Sequence, residues 1–181
     1  PLNNGIKHIG LGAFYTYVND VEVFGDTIYV VGQFNRVADT IPAKSFARYI
    51  VSTNTWEGFT NIPYGLHDIK AMARKGRYMY LAGKFAPNFN DYYQTFTYLL
   101  KYDLILNTLV TPELDIYEQY GTYNYMNDVE CVGNYLITGG KKINMAEDCS
   151  FYGYNFQSQQ LHDFPLCDAF GEIMDLLIDG E

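Results

Sequence analysis

Apolar residues recur along the chain in short runs that end in glycine. They read Ile28-Tyr29-Val30-Val31-Gly32, Tyr78-Met79-Tyr80-Leu81-Ala82-Gly83 and Tyr135-Leu136-Ile137-Thr138-Gly139-Gly140. Such runs lack strict alternation, as expected of strands buried on both faces. A turn signal precedes each: Gly25-Asp26, Lys75-Gly76 and Gly133-Asn134, with Asp179-Gly180 near the end. Upstream of the first turn lies Tyr17-Val18-Asn19-Asp20-Val21-Glu22, which returns as Tyr125-Met126-Asn127-Asp128-Val129-Glu130. Leu66-His67-Asp68-Ile69-Lys70 and Ile173-Met174-Asp175-Leu176-Leu177 occupy the corresponding places. The pattern predicts repeated hairpins, with Asp20, Asp68, Asp128 and Asp175 at one repeat position.

A third strand follows a loop of variable length, over 45–51, 95–102 and 149–155, and Tyr49, Tyr102 and Tyr154 align within it. Seven residues beyond each tyrosine, Trp56, Leu109 and Leu161 open a short fourth strand. Four strands per unit of roughly 50 residues is the period of β-propeller blades. The predicted fold is therefore all-β, a β-propeller segment of four-stranded antiparallel blades. Blades are expected at 18–60, 66–112 and 126–164, with a partial outer strand at 5–10 and the start of a further blade at 172–181. Three blades and two partial ones fall short of the ~4–8 of a closed ring. The expectation is a piece of a longer protein, with assembly of short chains as the alternative. No stretch carries a helical stripe.

Two hairpins, Tyr49-Ile50-Val51-Ser52-Thr53-Asn54-Thr55-Trp56 and Tyr102-Asp103-Leu104-Ile105-Leu106-Asn107-Thr108-Leu109, resemble the third-to-fourth strand hairpin of kelch repeats. The glycine-ending second strands resemble the kelch glycine pair, although only Gly139-Gly140 is a true pair and only the first unit keeps its Trp. Gly32-Gln33-Phe34 and Gly83-Lys84-Phe85 are also similar to the wider galactose-oxidase-like propeller superfamily. The resemblance implies a propeller that serves as a binding or scaffolding module.

Composition narrows the partners. Charged residues are 18% and hydrophobic residues 48% of the 181, a globular balance. Net charge is −9 and no basic run exceeds Lys141-Lys142, which argues against nucleic acid as a partner. No apolar stretch approaches the ~18 residues of a membrane span, so membrane insertion is not expected. Aromatic residues reach 17%, with 18 Tyr. They crowd the connections that hold Tyr15 and Tyr17, Phe89 and Tyr92, and Tyr120, Tyr123 and Tyr125. Tyr couples a large apolar area to a polar tip, which suits a protein- or glycan-binding face; the same rings also suit the crevices between blades.

The repeated Asp residues invite two readings: a ring of channel carboxylates that binds a cation, or acceptors for backbone N–H groups at blade junctions. Galactose oxidase is a copper enzyme, but His8 and His162 are predicted on outer strands and only His67 near the axis. The histidines do not converge, so no metal and no cofactor is expected. No nucleophile-elbow, zincin or P-loop pattern occurs, and no carboxylate dyad stands out. Cys131 falls inside an inner strand. A hairpin turn centred on Ser158 would place Cys149 opposite Cys167, within disulfide reach, which would imply an oxidising compartment. Three function classes follow: a non-catalytic recognition or scaffold module; a carbohydrate-active or oxidoreductase enzyme with catalytic residues elsewhere; and a structural part of an extracellular or virion assembly. The missing blades would come from the same longer chain or from neighbouring subunits.

Overall fold

The computed structural model describes residues 6–7, 16–62, 65–85, 95–112, 117–119, 125–144 and 147–163. The described chain is all-β and blade-like, as expected. In order, the strands are β1 (Ile6–Lys7), β2 (Tyr17–Phe24), β3 (Thr27–Gln33), β4 (Arg36–Val37), β5 (Ile41–Pro42), β6 (Phe46–Ile50) and β7 (Thr55–Gly58). They continue as β8 (Gly65–Lys75), β9 (Tyr78–Phe85), β10 (Thr95–Asp103), β11 (Thr108–Val110) and β12 (Tyr117–Gln119). The last four are β13 (Tyr125–Val132), β14 (Tyr135–Asn144), β15 (Glu147–Asn155) and β16 (Gln160–Asp163). Three sheets share one antiparallel order: β2-β3-β6-β7, β8-β9-β10-β11 and β13-β14-β15-β16, with β12 paired to β10. A smaller sheet, β1-β4-β5, joins β1 to the two strands of the first unit's β3–β6 connection. The first strand lies at an edge, as expected, but its partner is β4 of this same chain: Ile6 faces Val37 and Lys7 faces Arg36.

The repeat is kept residue by residue. Tyr49 faces Trp56, Tyr102 faces Leu109 and Tyr154 faces Leu161 across the outer hairpins. Each of these hairpins turns through one left-handed residue five places after its tyrosine, Asn54, Asn107 or Gln159, the conformation that Asn tolerates best among residues with a Cβ. The inner hairpins turn at Gly25, Gly76 and Gly133, each with positive φ at the first loop position, where only glycine is unstrained. The second loop is thus Gly76-Arg77 rather than the expected Lys75-Gly76.

A β-bulge recurs at one place in all three inner hairpins. Val18, Ile69 and Met126 stand opposite Gly32, Gly83 and Gly140; one extra residue follows, Asn19, Lys70 or Asn127; pairing then resumes at Asp20, Ala71 and Asp128. The bulge pushes the inner strand onto its partner. A Cβ on Gly32 would overlap the Tyr17 carbonyl oxygen and lie 2.9 Å from Val18 Cα, which is why the apolar run must end in glycine.

The sheets stack face to face. Tyr29, Val31, Phe46 and Phe59 of the first pack on Met72, Met79, Leu81, Leu100 and Tyr102 of the second. Phe46 stacks on Phe59 at 4.1 Å, and both rings meet the edge of Tyr102 at 5.7 and 5.1 Å. Ala71, Ala73, Tyr80, Ala82 and Leu99, on the other face of the second sheet, pack on Met126, Val129, Leu136 and Tyr154 of the third. The second sheet therefore has a back face towards the first and a front face towards the third, while Val30 and Ala47 on the back face of the first sheet pack on Val37 and Ala43 of the β3–β6 connection. Both faces of the second strands β3 and β9 are thus buried among apolar residues, which explains the unalternated runs.

Candidate functional site

The repeated carboxylate is a joint between sheets. Asp20 follows the bulge on β2, and its Oδ2 accepts the backbone N–H of Met72 on the next sheet at 2.8 Å. Its Oδ1 accepts Val21 N–H at 2.6 Å. Asn19, the bulged residue, donates through Nδ2 to the Ile69 carbonyl at 2.8 Å. The pair thus grips β8 on both sides of that strand's own bulge, serving groups that would otherwise lack partners there. Asp128 repeats half of this arrangement: its Oδ1 accepts Val129 N–H at 2.8 Å.

Asp68 does not hold the repeat position. Ile69 faces Gly83 and Ala71 faces Ala82, so Ala71 is the equivalent of Asp20 and Asp128, and Asp68 lies three residues upstream. The sequence likeness around Asp68 ran out of register because this strand begins earlier, at Gly65. The Asp68 side chain and all of Asp175 lie outside the described residues, so the four-membered ring reduces to Asp20 and Asp128 within them.

Two further acids belong to the same edge. Glu22 and Glu130 stand two residues beyond Asp20 and Asp128 on the same strand faces. Burial and the Asp20 charge push Glu22 above the ordinary carboxylate range, against the pull of Arg74. Glu130 is pushed up to about 7, first by burial, then by the charges of Asp128, Glu22 and Asp20, while the Cys131 N–H opposes the shift. Acids of the first and third sheets thus feel one another across the second, where the equivalents are Ala71 and Ala73. The inner strands β2 and β13 each lie against β8. Sequence reasoning missed these glutamates, although the repeated Asn-Asp-Val-Glu spelled them out. Among the described residues, no three of His, Cys, Asp and Glu are placed to hold a metal ion.

The aromatic residues take a different place. In every sheet the start of the first strand and the end of the second share one end: Tyr17 faces Gln33, Gly65 faces Phe85 and Tyr125 faces Lys141. The connection 86–94 leaves this end from Phe85 and returns at Thr95, and β12 pairs beside it, with Gln119 opposite Thr95. Tyr17 is exposed at that end. Tyr15, Phe89, Tyr92, Tyr120, Tyr123 and the Tyr125 side chain lie outside the described residues, but the strands that flank their connections are anchored there.

The remaining candidates separate. His162 is exposed on β16, far from the inner strands in sheet order, and His8 lies outside the described residues. Cys131 is half-buried on β13. The β15–β16 ladder pairs Asn155 with Gln160 and Tyr152 with Asp163, which centres the turn between Gln157 and Ser158, half a residue before the expected centre. Cys167 and the Cys149 side chain lie outside the described residues.

No protein-family model matches the chain, and no curated protein matches it in sequence.

Proposed function

We propose that this chain is a segment of a kelch-like β-propeller that works as a non-catalytic recognition or scaffold module, taking a protein or glycan through the tyrosine-rich connections at one end of its sheets. The observation that carries the reading is the engagement of Asp20: both carboxylate oxygens accept backbone N–H groups, one across the sheet junction. The most conspicuous polar repeat therefore has a building role, which leaves the connections as the variable, chemistry-bearing part. Their anchoring at one end favours a single face where Tyr17, Phe89, Tyr92, Tyr120 and Tyr123 act together.

The test applies the whole chain to a printed glycan array and to an array of folded protein domains. Binding to one class is expected, weakened at least about tenfold by Tyr17→Ala with Tyr120→Ala and Tyr123→Ala, in line with aromatic hot spots. Ile105→Ser, in an exposed turn at the opposite end, should leave binding unchanged. No binding on either array, or equal losses in both variants, overturns the reading.

One observation favours an enzyme acting on carbohydrate, with an acid inside this chain and not, as expected, elsewhere. Glu130, with its pKa near 7 beside Asp128, has the proton affinity of a general acid. Release of reducing sugar from an array-bound glycan, lost in Glu130→Gln, would decide for it.

A further inference from the structure

The third sheet is more deeply buried than its described neighbours explain. The second sheet packs on one of its faces, through Met126, Val129, Leu136 and Tyr154. Asp128 alternates with Val129 along β13 and so belongs to the opposite face. Among the described residues no further sheet follows the third. Yet Asp128 is 8% exposed, close to the 4% of Ala71, its equivalent between two sheets, and Asn127 beside it is also buried. A carboxylate and an amide at this depth need partners. Asp128 takes the Val129 N–H with one oxygen, and both side chains hold partners besides that group. The burial is that of a single chain, so the cover belongs to the same chain.

The first junction shows what such a pair grips. Asp20 accepts the Met72 N–H and Asn19 donates to the Ile69 carbonyl, four and seven residues before the turn glycine Gly76. Residues 164–181 lie outside the described ones, and their sequence repeats that spacing: Leu176 and Ile173 stand four and seven residues before Gly180. The reach fits as well. Ten residues separate Gly58 at the end of β7 from Ile69, and nine separate Asp163 at the end of β16 from Ile173.

We propose that residues 173–178 dock on the far face of the third sheet, with Asp128 accepting the Leu176 N–H and Asn127 donating to the Ile173 carbonyl. The third sheet is thereby closed by its own chain, and a partner that uses this face must first displace the segment. The docking rests on burial and register, so it stands or falls separately from the recognition reading.

NMR of the whole chain tests it. Ile137 lies on the same face at the register of Tyr29, which shares a core with Met72. Nuclear Overhauser contacts between the Ile137 and Leu176 methyl groups are therefore expected. The Leu176 amide should exchange with solvent slowly, as a bonded amide does. Asp128→Ala should speed that exchange at least about tenfold, the effect of losing a buried acceptor, and leave the Met72 amide unchanged. Asp20→Ala should do the reverse. Absence of the Ile137–Leu176 contact overturns the docking, as does a Leu176 amide that exchanges like an open one. Equal exchange of Leu176 in the parent and in Asp128→Ala overturns the assigned grip. Where Asp128→Ala loses its fold by circular dichroism, the contacts and the exchange of the parent chain decide alone.

Discussion

Glu130 makes the stability of this chain depend on pH in an unusual direction. Its carboxyl is half-buried on β13, with Asp128 on the same strand face and Glu22 and Asp20 reaching it from the first sheet. The folded-state pKa is about 7 against 4.5 for the unconstrained group, so the folded chain holds this proton more tightly. The stabilisation is complete below about pH 4.5 and is lost as pH rises through about 7. A dry carboxyl shifted this far would contribute about 3 kcal/mol at 1.36 kcal/mol per pK unit. Because the group is substantially solvated, screening reduces this to ~1–2 kcal/mol. Glu130→Gln copies the protonated form. It should match the parent near pH 4 and be more stable by ~1–2 kcal/mol near pH 8, which is a few degrees in Tm for a chain of this size. Urea unfolding at both pH values measures the difference. Equal stabilisation at both would assign the effect to packing, and a parent whose Glu130-dependent stability rises with pH would falsify the charge argument. Glu22→Gln should lower the Glu130 pKa, readable by carboxyl NMR titration.

Gly32→Ala should destabilise by about 2 kcal/mol or more, since the added carbon meets the Tyr17 carbonyl and the bulge cannot yield without losing register; a denaturant midpoint unchanged from the parent would refute the close approach. Asp20→Ala orphans Met72 N–H and should cost about 1–3 kcal/mol, with faster hydrogen exchange at Met72 as its specific signature. Asp103 is buried; its Oδ1 accepts Leu106 and Ile105 N–H at 3.0 Å and Arg77 pairs with its Oδ2. Burial pushes its pKa up, but these partners outweigh burial and hold it below the usual range, so its contribution is present above the unfolded value and lost as pH falls through the folded one. Asp103→Ala should lower Tm more than Asp103→Asn at neutral pH, and equal losses would show that the turn does not depend on an acceptor there.

The repeat was legible because each unit reuses the same punctuation: a glycine in the inner turn, a glycine under the bulge, and a tyrosine seven residues before the fourth strand. These positions answer to backbone conformation or close packing, which leave strong residue preferences. The error at Asp68 came from matching the Asp and not the turn. Counting five residues back from Gly25, Gly76 and Gly133 gives Asp20, Ala71 and Asp128, the register that the ladders adopt. The β4–β5 hairpin escaped notice because two-residue strands carry no period. The convergence of Glu22 with Glu130 is a tertiary property of strands more than 100 residues apart, and no local pattern encodes it.

The substitution of Ala71 for aspartate gives the two seams between sheets different mechanical characters. At the first, Asn19 and Asp20 key directional bonds into the middle of β8, so a sliding motion must break them together before any apolar contact is lost. At the second, Ala71, Ala73 and Ala82 leave room for the Tyr80 and Phe156 rings to meet at 5.9 Å, and Lys75 reaches the Gly133 carbonyl at the turn on a flexible stem. Apolar contact resists pulling apart but has little preference for one alignment over its neighbours. Under shear the first seam should therefore behave as a latch that holds and then fails abruptly. The second should resist through its interleaved rings and the Lys75 tether, giving way more gradually as the flexible stem of Lys75 extends.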